Sequence, residues 1–462
     1  MTSLRDERSF VRWAVADGVS VMGTSVSTVV LPLVVYHATG SSAATGGLFA
    51  LRVIPYILFG AVAGPVADRW NRRRLIVGGH IIEGLLGATI PIAALAGVLT
   101  VAQVYVVGLL SATAFVFSDA AVFGAVPAMV GTDRLAAANG FLGSMVSAAE
   151  IAGPAVGGVL AATIGPTNAV WFDCATFFFA AAVQGTIRAS FRVGEAPHGP
   201  LRIGEQIRKA LRFVRGNRSV ATLLLTGFGN SLGFGAVLGL LVPYAVEQLG
   251  LPEKDFRVGL LFSAGGVGAL MSGLLFSRVF SPIRVKWITP TAIAISATTT
   301  VGLVLSTSWI PALLLLVLFA WSIGTTVTTG ITYRQLAAPD ELRSSVNVFG
   351  RMISWGGQPF GAGIGAVISS GFSVRAAYVF AAASMSVSAA AAWVFLRPST
   401  ALRAAASPQR DGDAQPVITS RAKRSSAAVK ASSVAPGNVM VTPTMPRLAS
   451  AASSARRGCG SQ

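Results

Sequence analysis

The chain has 462 residues, of which 53% are hydrophobic and only 12% charged, with a formal net charge of +18. A soluble domain carries about 25% charged residues, so an ordinary soluble enzyme is excluded. The positive charge sits in short loops, one central stretch and the tail, not on a nucleic-acid-binding fold, so nucleic acid is not an expected partner.

An apolar stretch of about 20 residues is long enough to cross a hydrocarbon core. The chain holds twelve, and the expected fold is an all-α membrane protein with twelve transmembrane helices in two pseudo-symmetric six-helix halves. Span 1, at 10–36, is too long for a secretory-signal core and no small-residue cleavage site follows it, so it is expected to be retained. Spans 2 to 6 follow at 46–68, 75–97, 101–126, 138–164 and 167–189. The stretch 190–219 is polar, and Gly204 to Arg215 reads as a basic amphipathic helix with Ile203, Ile207, Leu211 and Val214 on one side. Its expected place is along the bilayer surface, with a regulatory role as the alternative. Spans 7 to 12 cover 220–247, 257–280, 285–306, 310–333, 344–369 and 373–396. The tail from Pro398 to Gln462 is rich in Ala, Ser, Pro and Arg, cannot bury enough apolar surface to offset chain entropy, and is expected to be disordered. The expected units are therefore 1–189, 190–219, 220–397 and 398–462.

Loop charge sets the orientation. Arg5, Arg8 and Arg12 stand before or at the start of span 1; Arg69, Arg72, Arg73 and Arg74 lie between spans 2 and 3; eight basic residues, Arg188 through Arg218, run from the end of span 6 to the start of span 7. The alternate loops are nearly empty of them, holding Lys254, Arg257 and Arg375. The positive-inside rule places both termini in the cytoplasm, with the chain threaded many times through the inner (plasma) membrane.

The halves echo each other. Phe141-Leu142-Gly143-Ser144-Met145-Val146-Ser147 in span 5 parallels Val348-Phe349-Gly350-Arg351-Met352-Ile353-Ser354 in span 11, and each is followed by a Pro and a Gly pair. Repeated halves are a transporter signature, with the substrate site near the midplane between them.

Gly60, Gly64, Asp68, Arg69, Arg72 and Arg73 follow the pattern G-x3-D-R-x-x-R-R. This stretch resembles the loop 2–3 signature of the major facilitator superfamily. The resemblance implies that the glycines let span 2 approach span 11, that Asp68 caps a neighbouring helix, and that the arginines anchor the loop in the cytoplasm. Asn71 stands where the family often has Gly. In span 5, Gly153-Pro154-Ala155-Val156-Gly157-Gly158 resembles the G-P-x-x-G-G element of the superfamily's exporters, although ordinary helix packing explains it as well. The whole membrane part is similar to the macrolide-efflux and enterobactin-exporter subgroup, through Leu31-Pro32-Leu33-Val34-Val35-Tyr36, Pro339-Asp340-Glu341-Leu342-Arg343 and Trp355-Gly356-Gly357-Gln358-Pro359-Phe360-Gly361. That subgroup usually carries an Arg near the inner end of span 4, where this chain reads Asp119-Ala120-Ala121-Val122, so the expected partner of Asp68 is missing.

Ionisable groups inside spans are costly and usually functional. Asp17, Glu83, Asp119, Glu150 and Asp173 lie in the first half, with Arg52; Arg351 is the main charge within a span of the second. Carboxylates unmatched by nearby bases can take up and release protons. Glu150, four residues before Pro154, is the first candidate for proton coupling and Asp17 the second, each weighed against a structural carboxylate. Arg52, Asn230, Phe234, Arg351, Trp355 and Gln358 are candidates to line a substrate cavity, weighed against plain packing. A mostly apolar wall with a few polar groups suits an amphipathic substrate.

Nothing points to bond chemistry. No Lys follows a Gly, so no phosphate-cradling G-x4-G-K-[ST] loop exists, and His37, His80 and His198 have no metal-ligand spacing. No cofactor or metal is expected, and a proton gradient is the expected energy source. The expectation is a monomeric secondary transporter that exports a small amphipathic molecule such as a drug, antibiotic or siderophore. The rivals are an uptake facilitator for a nutrient and a membrane-embedded enzyme.

Overall fold

The computed structural model describes residues 8–187, 203–279, 285–339 and 342–396, Thr132 excepted, together with Phe191, and every regular element among them is helical. The first six helices are α1 (Arg8–Thr39), α2 (Ser42–Arg69), α3 (Arg72–Leu95), α4 (Val101–Val130), α5 (Leu135–Ile164) and α6 (Pro166–Gly185). Short polar side chains start them. Ser41 accepts a hydrogen bond from the Ala44 N–H, Asn71 from Arg74 and Thr100 from Gln103, each at 3.2 Å, and each bond satisfies one amide that the first helical turn leaves open. Between α5 and α6 the chain turns on Gly165 at φ 86°, a backbone state that favours glycine, and restarts at once with Pro166 in the first turn.

The remaining helices are α7 (Ile203–Gly216), α8 (Arg218–Gly239), α9 (Leu241–Pro243) with a π-helical turn at Tyr244–Gln248, α10 (Phe256–Val279), α11 (Val285–Leu305), α12 (Trp309–Ala337), α13 (Arg343–Trp355), α14 (Gly357–Gly371) and α15 (Val374–Phe395). Two predicted spans are therefore interrupted. A proline removes one helical amide and crowds the carbonyl four residues earlier. Pro243 stands four residues after Gly239, where α8 ends, and Pro359 four after Trp355, where α13 ends. The pair Gly356-Gly357 sits at the second break. Ten helices among the described residues are long and apolar enough to cross a membrane alone. The other two predicted spans correspond to α6, which carries Asn168, Asp173 and Gln184, and to the broken pair α13–α14. The helix count is thus compatible with twelve crossings. The proposed tail, 398–462, and most of 190–202 lie outside the described residues.

Large apolar side chains such as Leu225, Leu305, Leu314 and Val387 are mostly exposed around the bundle. Patches of this kind belong in hydrocarbon, where only the side chains, and not the hydrogen-bonded backbone, meet the surroundings. The chain is a multi-pass membrane protein. Within its first part α1 packs on α5 and α6, α3 on α4 and α6, and α2 on α4; within the second, α8 packs on α14 and α15, α10 on α12, and α11 on α12 and α15. The two sets meet through α5 against α10 and α2 against α14. The amphipathic α7 differs from expectation. Its apolar residues Ala210, Phe213 and Val214 are taken up by Val220, Ala338 and Val346 of the bundle, while Arg208, Lys209, Arg212 and Arg215 stay exposed.

Candidate functional site

Residues four apart share a helix face. On α2 that face carries Arg52, Tyr56, Gly60 and Gly64; on α4 it carries Val116, Asp119, Ala120 and Phe123; on α13 it carries Val348, Arg351, Met352 and Trp355. Together with Gln358 of α14 these faces enclose a cavity of about 500 Å³. Tyr56 donates a hydrogen bond to Asp119 Oδ2 at 2.8 Å and packs its ring 6.1 Å from that of Trp355, so the first helix set touches the second here. The Arg351 guanidinium lies 5.6 Å from the centre of the Trp355 ring, a cation–π distance. Among the described residues neither Arg52 nor Arg351 makes a hydrogen bond or salt bridge. The acids within electrostatic reach are Asp173 and Glu83 for Arg52, and Asp119 for Arg351.

A buried polar seam joins α1, α3 and α6 within electrostatic reach of Arg52. Asp173 accepts a short hydrogen bond from Ser27, and its carbonyl accepts one from Thr176 Oγ1 at 2.7 Å. Gly23 makes room for this: a Cβ there would stand 2.6 Å from Asp173 Oδ1. His80 Nδ1 lies 3.4 Å from Ser20 Oγ and 3.8 Å from Glu83 Oε2, with the ring 5.9 Å from that of Phe177. Asp173, Glu83 and His80 are all buried, and among the described residues Asp173 Oδ1 and His80 Nε2 have no hydrogen-bond partner. Two carboxylates and one imidazole are groups that can hold a proton, and the permanently charged Arg52 stands within electrostatic reach of both acids, in a medium where unpaired charge is expensive.

Four of the six predicted cavity residues, Arg52, Arg351, Trp355 and Gln358, come together in this one cavity. Asn230 and Phe234 do not line it. Asn230 is buried within α8, and the Phe234 ring stacks on Phe319 of α12 at 6.1 Å. The reason is local: the Gln358 carbonyl lies against the bare Gly235, while Gly357 and Gly361 lie against the backbone of Phe228 and Leu232, and this contact turns the Phe234 face toward α12. Tyr56 and Asp119 complete the cavity; Tyr56 is legible only as the residue one turn after Arg52. Glu150 is exposed, with its backbone against Gly266 of α10, and has no ion pair or hydrogen bond among the described residues; it lies outside this cavity. Asp17 is half-buried on α1, within electrostatic reach of His80 and Asp119.

The loop 2–3 motif forms a local brace. Asp68 pairs with Arg72 at 2.8 Å, Arg72 also donates to the Gly124 carbonyl at 2.8 Å and to that of Phe191 at 3.3 Å, and Arg73 donates to the Gly185 carbonyl. Arg69 is exposed, and the side chain that caps α3 is Asn71. Gly60 and Gly64 have no atom within 4 Å of an added Cβ, so the expected approach of span 2 to span 11 does not occur at these glycines; α2 meets α14 instead at Gly46, where a Cβ would lie 2.9 Å from that of Ala366. Three glycines of the span 5 motif sit at close helix contacts. Gly153 and Gly157 admit α1 at Ser25 and Val26, and Gly158 admits α10, with a Cβ placed 2.7 Å from the Phe256 carbonyl and 2.9 Å from Gly259 Cα.

Further contacts between the two helix sets lie at the end away from the arginine loop. Ser369 donates to Ser42 at 2.7 Å, Tyr36 to Glu247 at 3.2 Å, and His37 Nδ1 lies 2.8 Å from Glu253. In the same turn Asp255 receives hydrogen bonds from the Arg257 side chain at 2.9 and 2.5 Å, which hold its carboxyl below the usual carboxylate range. Among the described residues the two helix sets are joined at that end, and on α2 the cavity residues lie between Gly46 and the arginine loop.

The sequence profile of the Major Facilitator Superfamily matches residues 14–354. The multidrug efflux pump Tap of Mycobacterium tuberculosis is 25% identical over 268 residues, 56% of this chain and 63% of that protein. Macrolide efflux protein A of Streptococcus pyogenes is 24% identical over 271 residues, 57% of this chain and 65% of that protein. The chain thus spans a little under two thirds of the length of these curated relatives. Among solved structures, an inward-facing, unoccupied bacterial homolog of the human lysosomal transporter Spinster aligns with TM-score 0.68 at 15% identity, over 86% of this chain and 98% of that one. The nucleoside transporter NupG aligns with TM-score 0.67 at 13% identity, over 85% and 100%. At such identities the likeness is one of fold.

Proposed function

We propose that this chain, which belongs to the Major Facilitator Superfamily, is a proton-coupled exporter of a small amphipathic molecule that works by alternating access. The observation that carries the reading is the asymmetry of the two helix sets: packed backbone to backbone at Gly158 and Gly259, apart at Gly60 and Gly64, with a cavity of about 500 Å³ between them. Drug-sized ligands occupy pockets of roughly 300–1,000 Å³. Rocking about this cavity would open the glycine-packed end and close the other. Export as the direction draws on the two efflux relatives. The positive-inside rule puts the arginine loop, the cavity mouth and both termini on the cytoplasmic side of the plasma membrane. The chain acts as a monomer.

Coupling requires a carboxylate that changes its proton between the two states. Glu150, at the α5–α10 contact that must open, and Asp17, beside His80, are the candidates. The test is accumulation of antibiotics and dyes in cells lacking and expressing the protein, with and without a protonophore. Lower accumulation that collapses with the gradient supports the proposal, and faster entry favours uptake. Glu150→Gln should abolish transport driven by a pH gradient; unchanged activity removes Glu150 from coupling.

A further inference from the structure

The cavity carries an imbalance of charge that a generic amphipathic substrate does not explain. Its wall holds two guanidiniums, Arg52 and Arg351, and one carboxylate, Asp119, one of whose oxygens already accepts the Tyr56 hydroxyl. Arg52 has Asp173 and Glu83, neither of which lines the cavity, within electrostatic reach to answer its charge. Arg351 has neither a hydrogen bond nor a salt bridge among the described residues, and the acid within its electrostatic reach, Asp119, is already engaged by the Tyr56 hydroxyl. It is half-buried, stands over the Trp355 ring, and shares its wall with the Gln358 amide. An unpaired guanidinium inside a membrane protein calls for a counter-charge, and its planar fork fits a carboxylate or a similar oxyanion. The neighbouring aromatic and aliphatic surface of Trp355, Met352 and Phe123 calls for an apolar body.

We propose that the transported molecule is an organic anion, an oxyanion group attached to an aromatic or aliphatic body, with Arg351 as the group that receives its charge. Such an anion touches α13 of the second helix set and α2 and α4 of the first at the same time. It therefore favours the state in which the two sets approach. The proposal rests on the cavity being the transport site, as in the reading above.

The test is equilibrium dialysis of the purified full-length protein in detergent with three probes: naphthoate, its methyl ester and the tetraphenylphosphonium cation. A hydrogen bond to a charged group is worth about 1.5–3 kcal/mol, so naphthoate should bind at least about tenfold tighter than the ester. Arg351→Gln should erase that difference, while Arg351→Lys keeps part of it. Asp119→Asn, which removes the opposing charge, should tighten naphthoate further, and it keeps the question decidable if Arg351→Gln fails to fold. Equal or tighter binding of the ester or the cation overturns the anion and leaves the transporter reading standing. Naphthoate affinity untouched by Arg351→Gln, or weakened by Asp119→Asn, also overturns it. Failure of all three probes to bind removes the cavity itself as the substrate site.

Discussion

Replacing Gly158 by Ala should pry open the closed end of the molecule. The added Cβ would sit 2.7 Å from the Phe256 carbonyl oxygen, 2.9 Å from Gly259 Cα and 3.0 Å from Gly259 N. All three are backbone atoms of α10, so no side chain can swing away, and α5 and α10 must separate by several tenths of an ångström. Overpacking of this kind costs about 1–3 kcal/mol. The cost falls only on the conformation in which α5 and α10 touch, so the ratio of closed to open states should drop by roughly 5- to 150-fold. The assay uses a reporter thiol at Ser42, which is buried against Ser369 in the closed state, in a background with Cys174 and Cys459 replaced. Its reaction with a membrane-impermeant maleimide should accelerate in the Gly158→Ala protein. Gly60→Ala is the control of opposite sign: nothing lies within 4 Å of its Cβ here, so it costs nothing in this state and burdens only the state that brings α2 against α13. Labelling at Ser42 should slow. An unchanged rate in Gly158→Ala, and again in Gly158→Val, would refute the view that the glycine contact governs closure.

Gly23→Ala should destabilise the first helix set by about 1–3 kcal/mol, since its Cβ would press on Asp173 Oδ1 and Thr176; thermal unfolding in detergent measures it. Arg72→Lys should lower the melting temperature, because the guanidinium holds Asp68 together with the Gly124 and Phe191 carbonyls, a set of bonds an ammonium cannot span; thermal unfolding in detergent measures it. The Asp255–Arg257 contact gives a pH signature. A carboxyl held below its usual range stabilises the fold above the unfolded pKa of about 3.9 and loses that contribution as pH falls through the folded value. Asp255→Asn should remove part of the protein's stability at neutral pH and flatten its loss under acid, read from unfolding midpoints between neutral and strongly acidic buffer.

Much of this architecture is written in the chain as hydropathy and loop charge, because a lipid-facing helix must be apolar along its whole length. That same property hides rotation. A span that is apolar all round carries no stripe to say which side faces the partner, so Phe234 could be placed on a span but not on the α12 side of it. Arg52, Arg351, Trp355 and Gln358 were legible as cavity residues because polar or large aromatic groups stand out against an aliphatic background. The breaks after Gly239 and Trp355 had a signal in Pro243 and Pro359, but prolines also occur inside the unbroken α1, α2 and α5, and only the packing of Gly357 and Gly361 on α8 decides the outcome. The seam of Ser27, His80, Glu83 and Asp173 joins residues up to 146 positions apart, and nothing in their local spacing announces it. The glycines of the two motifs read alike in the sequence, yet Gly158 is in backbone contact and Gly64 is not, because a single conformation can use only one end of the molecule.

The interruption at Gly356 divides the labour along one crossing. Its α14 portion is fastened to α8 through bare backbone at Gly357 and Gly361, whereas its α13 portion bears Arg351 and Trp355 and supports the docked α7. A single crossing thus joins two tasks: one piece is locked by backbone contact, and the other carries groups that line the cavity and receives α7.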